Sequence, residues 1–257
     1  MGREIAREVT AAGRHAGVIN MRLQDFIDLT WEEDAANPLI EPARTSLLIA
    51  DPTFLPPAET PDGNWHLFAH SLCGLQHFRS TDGVAWRQLP GRVAPGGIRP
   101  YLFCAPEAYC LFYERLLSVV PLHTRIEMMT STDLSRWSRP VSVLEPALAW
   151  QGEGGWRGTV GNPCLIAETG GYRLFFSAGL VFLPDCKFFE PKYIGTAFSP
   201  RLTGPYEPLP EPILAPSPAD AYGNLGAGAL NVVRASDGYL GFQNGIYWDD
   251  ASGHSRS

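Results

Sequence analysis

One short hydrophobic phrase recurs along this chain, each time with a polar residue fixed at its end. It reads Trp65-His66-Leu67-Phe68-Ala69-His70, Tyr109-Cys110-Leu111-Phe112-Tyr113-Glu114, Tyr172-Arg173-Leu174-Phe175-Phe176-Ser177 and Tyr239-Leu240-Gly241-Phe242-Gln243-Asn244. Aromatic-rich runs of this length, bounded by turn residues, read as β-strands. A first strand precedes each phrase, opened by Asp51-Pro52, Arg99-Pro100, Asn162-Pro163 and, less clearly, Gly228-Ala229-Leu230. Proline suits the first residue of a strand, where no ladder donor is needed. A third strand follows and ends in a polar turn that delivers an aromatic: Ser80 to Trp86, Ser131 to Trp137 and Ser199 to Tyr206. That aromatic opens a fourth strand. Repetition of the whole four-strand unit predicts an all-β fold, a β-propeller of four-stranded antiparallel blades. A sandwich would show many short strands without repeating the phrase.

The units fall at 44–97, 98–150, 155–218 and from 224 onward. Upstream, Trp31 followed by Asn37-Pro38-Leu39-Ile40-Glu41-Pro42 resembles the fourth-strand stretch of the third unit, Tyr206 with Glu211 to Pro216. A ring must close to hide its strand edges, so an N-terminal strand completing the last blade is expected. That makes 1–24 a lead-in and 25–257 the propeller domain. The last unit reaches a second strand and a polar turn. The expectation is therefore a five-bladed ring, incomplete at the C-terminus.

In a meander blade, the starts of strands one and three share a face with the ends of strands two and four. That face collects Asp51, Arg99 and Asn162 with His70, Glu114, Ser177 and Asn244. The connection from Gly179 to Lys192, which holds Glu190 and both lysines, opens on the same side, as do the connectors bearing Glu153, Trp156 and Arg157. The other face receives Asp62, Asp82, Asp133 and Asp237, turn residues with a conformational reason to be there.

Composition narrows the partners. The net charge of −7 comes with no basic run, which argues against a nucleic-acid partner, because phosphate neutralisation needs clustered cations. No apolar stretch approaches a spanning length, so no membrane partner is expected. The five cysteines lack metal-ligand spacing and read as free, mostly buried thiols in a reducing, cytoplasmic setting. Neither a metal nor a cofactor is implied.

The Asp-Pro opening, the Tyr-x-Leu-Phe strands and the Ser-x-Asp-x-x-x-Trp turns resemble the five-bladed propellers of glycoside hydrolase families 43 and 32. The resemblance runs from about Trp31 to the end of the chain. It implies that Asp51 is general base or nucleophile, with a second-blade Asp tuning its pKa and a third-blade Glu as general acid. This chain presents Arg99 and Asn162 at those two positions. Glycoside hydrolysis ordinarily needs two carboxyl groups flanking the bond, so the acid must come from elsewhere on the face. Glu190 is the first choice, with Glu114 and Glu153 as alternates; Arg115 beside Glu114 would lower its pKa and make it a poorer donor.

The substrate-binding set is Arg99, Asn162, His70, Glu153, Trp156, Arg157, Lys192 and Asn244. Plainer roles exist for several: a turn cap for Asp51, an exposed ion pair for Glu190, a core hydrogen bond for His70, packing between blades for Trp156. The functional expectation is a glycosidase acting on a small glycan or glycoside. The alternatives are a glycan phosphorylase resembling family 130, with one acid and Arg99, Arg157 and Lys192 for phosphate, or a non-catalytic sugar-binding propeller.

Overall fold

The computed structural model describes residues 22–42, 46, 48–153 and 157–257. Four antiparallel sheets form, each a meander in chain order. The first contains β1 (Ala50–Leu55), β2 (Trp65–Ser71), β3 (Gly74–Ser80) and β4 (Arg87–Gln88). The second contains β5 (Gly97–Cys104), β6 (Tyr109–Val119), β7 (Leu122–Ser131) and β8 (Val141–Leu144). The third contains β9 (Val160–Glu168), β10 (Gly171–Leu183), β11 (Phe188–Ser199) and β12 (Glu207–Pro208). The fourth has β13 (Gly226–Ala235), β14 (Gly238–Asp249) and β15 (His254–Arg256).

The propeller with four-stranded blades is therefore present, and the repeated phrases are its second strands. The blade count is corrected. Among the described residues there are four blades, three of four strands and one of three, not five. The last blade also continues past the second strand where the sequence reading ended it. His254-Ser255-Arg256 carries no apolar signal, yet it pairs with Tyr247 to Asp249 and is pinned by Asp185, whose Oδ2 accepts the Ser255 amide at 2.7 Å. No strand forms in 22–42 to complete a blade. That stretch holds a short helix, α1 (Leu23–Ile27), tied to the fourth blade by the Leu23 amide on Asp237 Oδ1 and by Phe26 edge-on to Phe242.

The blades stack face to face, so the middle strands are apolar on both sides. Leu55, Phe68 and Leu75 of the first blade meet Leu102, Leu111 and Tyr113 of the second. Phe112, Ile126 and Val143 of the second meet Leu165, Leu174 and Phe176 of the third. The contact of the third with the fourth is smaller, around Cys164, Ile166 and Val232. β1 packs on β5, β5 on β9 and β9 on β13, whereas β13 and β1 are not among the closely packed pairs of the described residues.

The polar turns behave as local geometry demands. Asp82 accepts the Val84 and Ala85 amides and Asp133 those of Ser135 and Arg136, at 2.8 to 2.9 Å. The five cysteines are free, with Cys104, Cys110 and Cys164 buried and Cys73 and Cys186 exposed, in line with free, mostly buried thiols. Among the described residues no helix is long and apolar enough to cross a membrane.

The first blade buries a histidine pair. His66 Nδ1 lies 2.8 Å from His77 Nε2, His66 Nε2 lies 3.0 Å from Asp62, and Phe68 stacks on the His77 ring. Burial, with the His66 charge adding to it, depresses the His77 pKa from 6.5 to about 3. A histidine depressed in this way stabilises the fold above its unfolded pKa and loses that contribution as pH falls, because only the unfolded chain takes the proton. Stability should therefore fall by about 1.4 kcal/mol per pH unit between pH 6.5 and pH 4 in denaturant titrations. His77→Gln, though less stable at neutral pH, should show a shallower acid slope; parallel slopes would refute the assignment.

Candidate active site

The inner strands begin with a backbone that side chains rarely tolerate. Asp51, Arg99 and Asn162 all have positive φ, at 49°, 51° and 47°. Each precedes a proline, a context that already disfavours helical geometry. Each is also the first residue of a bulge. The register jumps from Ala50↔His70 to Thr53↔Phe68, from Ile98↔Glu114 to Tyr101↔Phe112, and from Gly161↔Ser177 to Cys164↔Phe175. A non-glycine residue in this region costs of order 1–3 kcal/mol, and such costs gather at functional sites. The other two positive-φ non-glycine residues, Leu134 and Lys187, lie in hairpin turns.

The bulges turn the three side chains into one cavity of about 680 Å³ that runs down the inner strands past Thr53, Leu230 and Phe242 to Glu59. The polar residues at the second-strand ends then meet them. His70 Nδ1 lies 3.0 Å from Asp51 Oδ2, Arg99 Nη1 donates to Glu114 Oε2 at 2.9 Å, and Asn162 Nδ2 donates to Ser177 Oγ at 3.1 Å. The same residues also meet the next blade. His70 approaches the Arg99 amide at 3.3 Å, and the Ser177 hydroxyl donates to the Gly228 carbonyl at 2.7 Å. Glu114 fills the space beside Gly161, where any Cβ would lie 1.8 Å from Oε2. An ionised carboxylate can only accept, so the His70 Nδ1 proton faces Asp51, and the Arg99 amide is then a close neighbour.

The fourth blade departs from this pattern. Its positive-φ residue, Gly228, is the second of the bulge, and Asn244 pairs with Ala229 while Ile246 pairs with Gly226. Asn244 therefore stands two residues away from the register of His70, Glu114 and Ser177, although it lines the same cavity. The aromatic spacing of the phrases aligned it with those residues; the shifted bulge breaks that alignment.

Glu190 sits on an extended ribbon rather than a loop, near enough for the charges of Arg99 and Asp51 to act on it but not among the residues that line the cavity. β10 and β11 continue pairing out to Leu183↔Phe188, and Glu190 faces Val181 across the ribbon. Gly226 permits the ribbon to lie against β13, since a Cβ there would stand 2.7 Å from the Pro191 carbonyl. The Asp185 to Ser255 bonds hold its tip to the last strand. Glu190 is half-buried there.

Electrostatics separate the two carboxyls. Burial would raise Asp51, but the His70 hydrogen bond, the His70 charge and the Arg99 charge outweigh it and hold the group below its ordinary value. Burial raises Glu190; Arg99 opposes this and Asp51 adds to it, and the group ends above its ordinary value. Arg99 is held firmly charged by Glu114, against the cost of burial, with Asp51 and Glu190 contributing further. Asp51, Glu190 and Glu114 therefore share one guanidinium.

The remaining predicted residues divide. Glu114 is buried against Arg99, while Arg115 turns to the other face of β6 and binds Glu127. Glu153 pairs with Lys192 at 2.6 Å and with the Tyr193 hydroxyl, which lowers its pKa and suits it poorly to proton donation. Arg157 is exposed, and Trp156 lies outside the described residues. Trp150 stacks on Phe176, as packing requires. Sequence reasoning missed Gly228, whose carbonyl fastens Ser177, and Glu59, a carboxyl at the other end of the cavity whose pKa burial raises. The repeat placed Gly228 at a strand start without showing its carbonyl as an anchor, and no spacing signal marks Glu59. Among the described residues no group of three or more His, Cys, Asp or Glu could hold a metal ion.

No protein-family model and no curated protein sequence matches this chain. Solved structures do match its shape. An endo-1,4-β-xylanase from Bacteroides thetaiotaomicron superposes with a TM-score of 0.58 at 16% identity, covering 80% of this chain and 74% of that one. An α-L-arabinofuranosidase from Lactobacillus brevis gives 0.56 at 14% identity, covering 81% and 75%. A β-1,2-mannobiose phosphorylase from Listeria innocua gives 0.54 at 18% identity, covering 76% and 54%. The chain thus has the fold of the glycoside hydrolase and phosphorylase propellers.

Two outcomes test this geometry. Arg99→Met leaves Glu114 buried without its partner and should cost about 3 kcal/mol of stability. Adding Glu114→Gln should recover most of it in denaturant titrations, and no recovery would mean the pair is not what holds the bulge. His70→Ala should raise the Asp51 pKa above the ordinary carboxylate value, because burial then acts with less opposition. A carboxyl NMR titration reads this directly; an unmoved Asp51 would leave Arg99 alone as its stabiliser.

Proposed function

We propose that the chain is a glycosidase acting on a small glycan or glycoside, with Asp51 as general base or nucleophile and Glu190 as general acid. The observation that carries this reading is the opposite displacement of the two carboxyls around Arg99, Asp51 downward and Glu190 upward. Environments that push two titratable groups apart assign the base and the acid. Protonated Glu190 would deliver its proton to the glycosidic oxygen as the bond to the leaving group breaks. Ionised Asp51 would either attack the anomeric carbon or take a proton from the water that does. His70 and Arg99 keep Asp51 ionised, and Glu114 keeps Arg99 in place. The carbohydrate-acting neighbours support the substrate class through fold alone.

Hydrolysis is preferred to phosphorolysis because two of the three cations proposed for phosphate, Arg99 and Lys192, are already committed, and the third, Arg157, is exposed. Arg99 faces Glu114, Asp51 and Glu190, and Lys192 is paired with Glu153. A phosphate entering there would meet carboxylates as well as cations.

The test is turnover of aryl glycosides, beginning with 4-nitrophenyl α-L-arabinofuranoside and β-D-xylopyranoside, with and without inorganic phosphate. Asp51→Asn should lower kcat by roughly 10³-fold or more with folding intact. Glu190→Gln should cost about 10²-fold or more on natural linkages and far less on activated aryl leaving groups, which need no proton. Activity should rise with pH as Asp51 ionises and fall as Glu190 loses its proton, and Glu190→Gln should remove the alkaline limb. Full activity in Asp51→Asn, or strict dependence on phosphate, would overturn the assignment.

A further inference from the structure

Two amide side chains in the cavity have their orientations forced by partners that leave no choice. The Ser177 hydroxyl has one proton, and it is committed to the Gly228 carbonyl at 2.7 Å. Toward Asn162 that oxygen can only accept, so Asn162 must present its NH₂ to Ser177 and its carbonyl oxygen to the cavity. Asn244 is held the other way. The Ala229 amide is a donor, and at 2.8 Å it requires the oxygen of Asn244, which leaves the Asn244 NH₂ free to face the cavity. Both residues line that cavity.

The two are fastened to adjacent points. Gly228 and Ala229 are consecutive on β13, and the bulge there forces the contact: a Cβ on Gly228 would lie 1.7 Å from the Asn244 carbonyl oxygen. The shifted register of the fourth blade is what brings Asn244, rather than Ile246, to this point. The C=O and N–H of the trans peptide joining Gly228 to Ala229 point in opposite directions, so the cavity lining carries one fixed acceptor and one fixed donor, one on each side of the start of β13.

We infer that Asn162 and Asn244 form a specificity-determining pair that reads two different hydroxyls of the bound sugar, the first hydroxyl donating to Asn162 Oδ1 and the second accepting from Asn244 Nδ2. The inference rests on the carbohydrate reading above and adds the hydrogen-bond polarity of the two recognised hydroxyls. Ser177 is a positioning residue that acts through Asn162. The Asp51 and Arg99 side of the cavity is charged and suits the reacting bond. The Asn162 and Asn244 side is neutral, and a neutral donor and acceptor recognise hydroxyls without perturbing the Asp51 charge.

Substrate deletion tests this. The aryl glycoside turned over by the parent chain is compared with its monodeoxy and monodeoxyfluoro forms, position by position, in the parent, Asn244→Asp and Ser177→Ala. Asn244→Asp keeps an oxygen that caps Ala229 and replaces the donor with a charged acceptor, so kcat/KM should fall roughly tenfold or more. That loss should vanish for the analogue lacking one particular hydroxyl. Ser177→Ala should show the same behaviour toward a different hydroxyl. Fluorine accepts weakly and cannot donate, so it should be tolerated at the position read by Asn244 and rejected at the position read by Asn162. Coupling of both variants to the same hydroxyl, coupling to none, or the opposite response to fluorine overturns the proposal, with glycosidase activity still standing. Should Ser177→Ala fail to fold, the Asn244→Asp series decides alone. If the parent neither binds nor turns over any glycoside, this proposal and the carbohydrate reading fall together.

Discussion

The left-handed step at the start of each inner strand is the constraint on which this site depends. A β-strand points its side chains alternately to its two faces, and in a propeller both faces are taken up by packing against neighbouring blades. Residues such as Thr53 and Leu230 line the cavity from regular strand farther down, but at the strand start a break in the pleat is what turns a polar side chain into it. The bulges at Asp51, Arg99 and Asn162 make that break. Left-handed backbone before proline is unfavourable in isolation, so each bulge must be held from outside. Glu114 and Ser177 do so twice over, once across their own blade and once against the bulge of the next, and His70 does so across its own blade. Site geometry and blade docking are therefore one network, and a change at either is felt at the other.

Arg99 sets the electrostatics of that network. A second acid at this position would push Asp51 upward by like-charge repulsion. A guanidinium pulls it down instead. Under the proposed function Glu190 takes the role of proton donor, half-buried on its ribbon and with no ion pair to a lysine among the described residues. The flanking cations found other uses, Lys192 with Glu153 and Lys187 in the turn at the ribbon tip. Supplying the acid from a ribbon docked on the fourth blade couples the site to that blade through Gly226 and Asp185.

Much of the architecture was legible in the chain. The Tyr-x-Leu-Phe strands, the Asp-anchored turns and the X-Pro strand openings are short-range patterns, and they placed Asp51, Arg99, Asn162, His70 and Glu114 on one face before any coordinates. The misreadings arose where spacing does not report conformation. Asn244 matched His70 by its distance from an aromatic, yet a bulge one residue out of phase moved it in register. The three-residue β15 has no hydrophobic signature because its stability comes from backbone pairing and Asp185. The Trp31 to Pro42 stretch has the composition of a fourth strand, but no strand edge pairs with it among the described residues.

The amino-acid sequence by itself determined the repeating unit, the direction of its strands and the face on which polar residues gather, since all three follow from neighbours a few positions apart. Tertiary structure alone decided which of those residues meet. That Glu190 carries a raised pKa and Glu153 a lowered one depends on burial and on which charges approach each across segments far apart in the chain. The count of blades, the brace from Glu114 and Ser177 to the next bulge and the opposed orientations of Asn162 and Asn244 have the same origin. They are set by long-range packing and by donors and acceptors that must be satisfied in three dimensions, and a linear pattern does not carry that information.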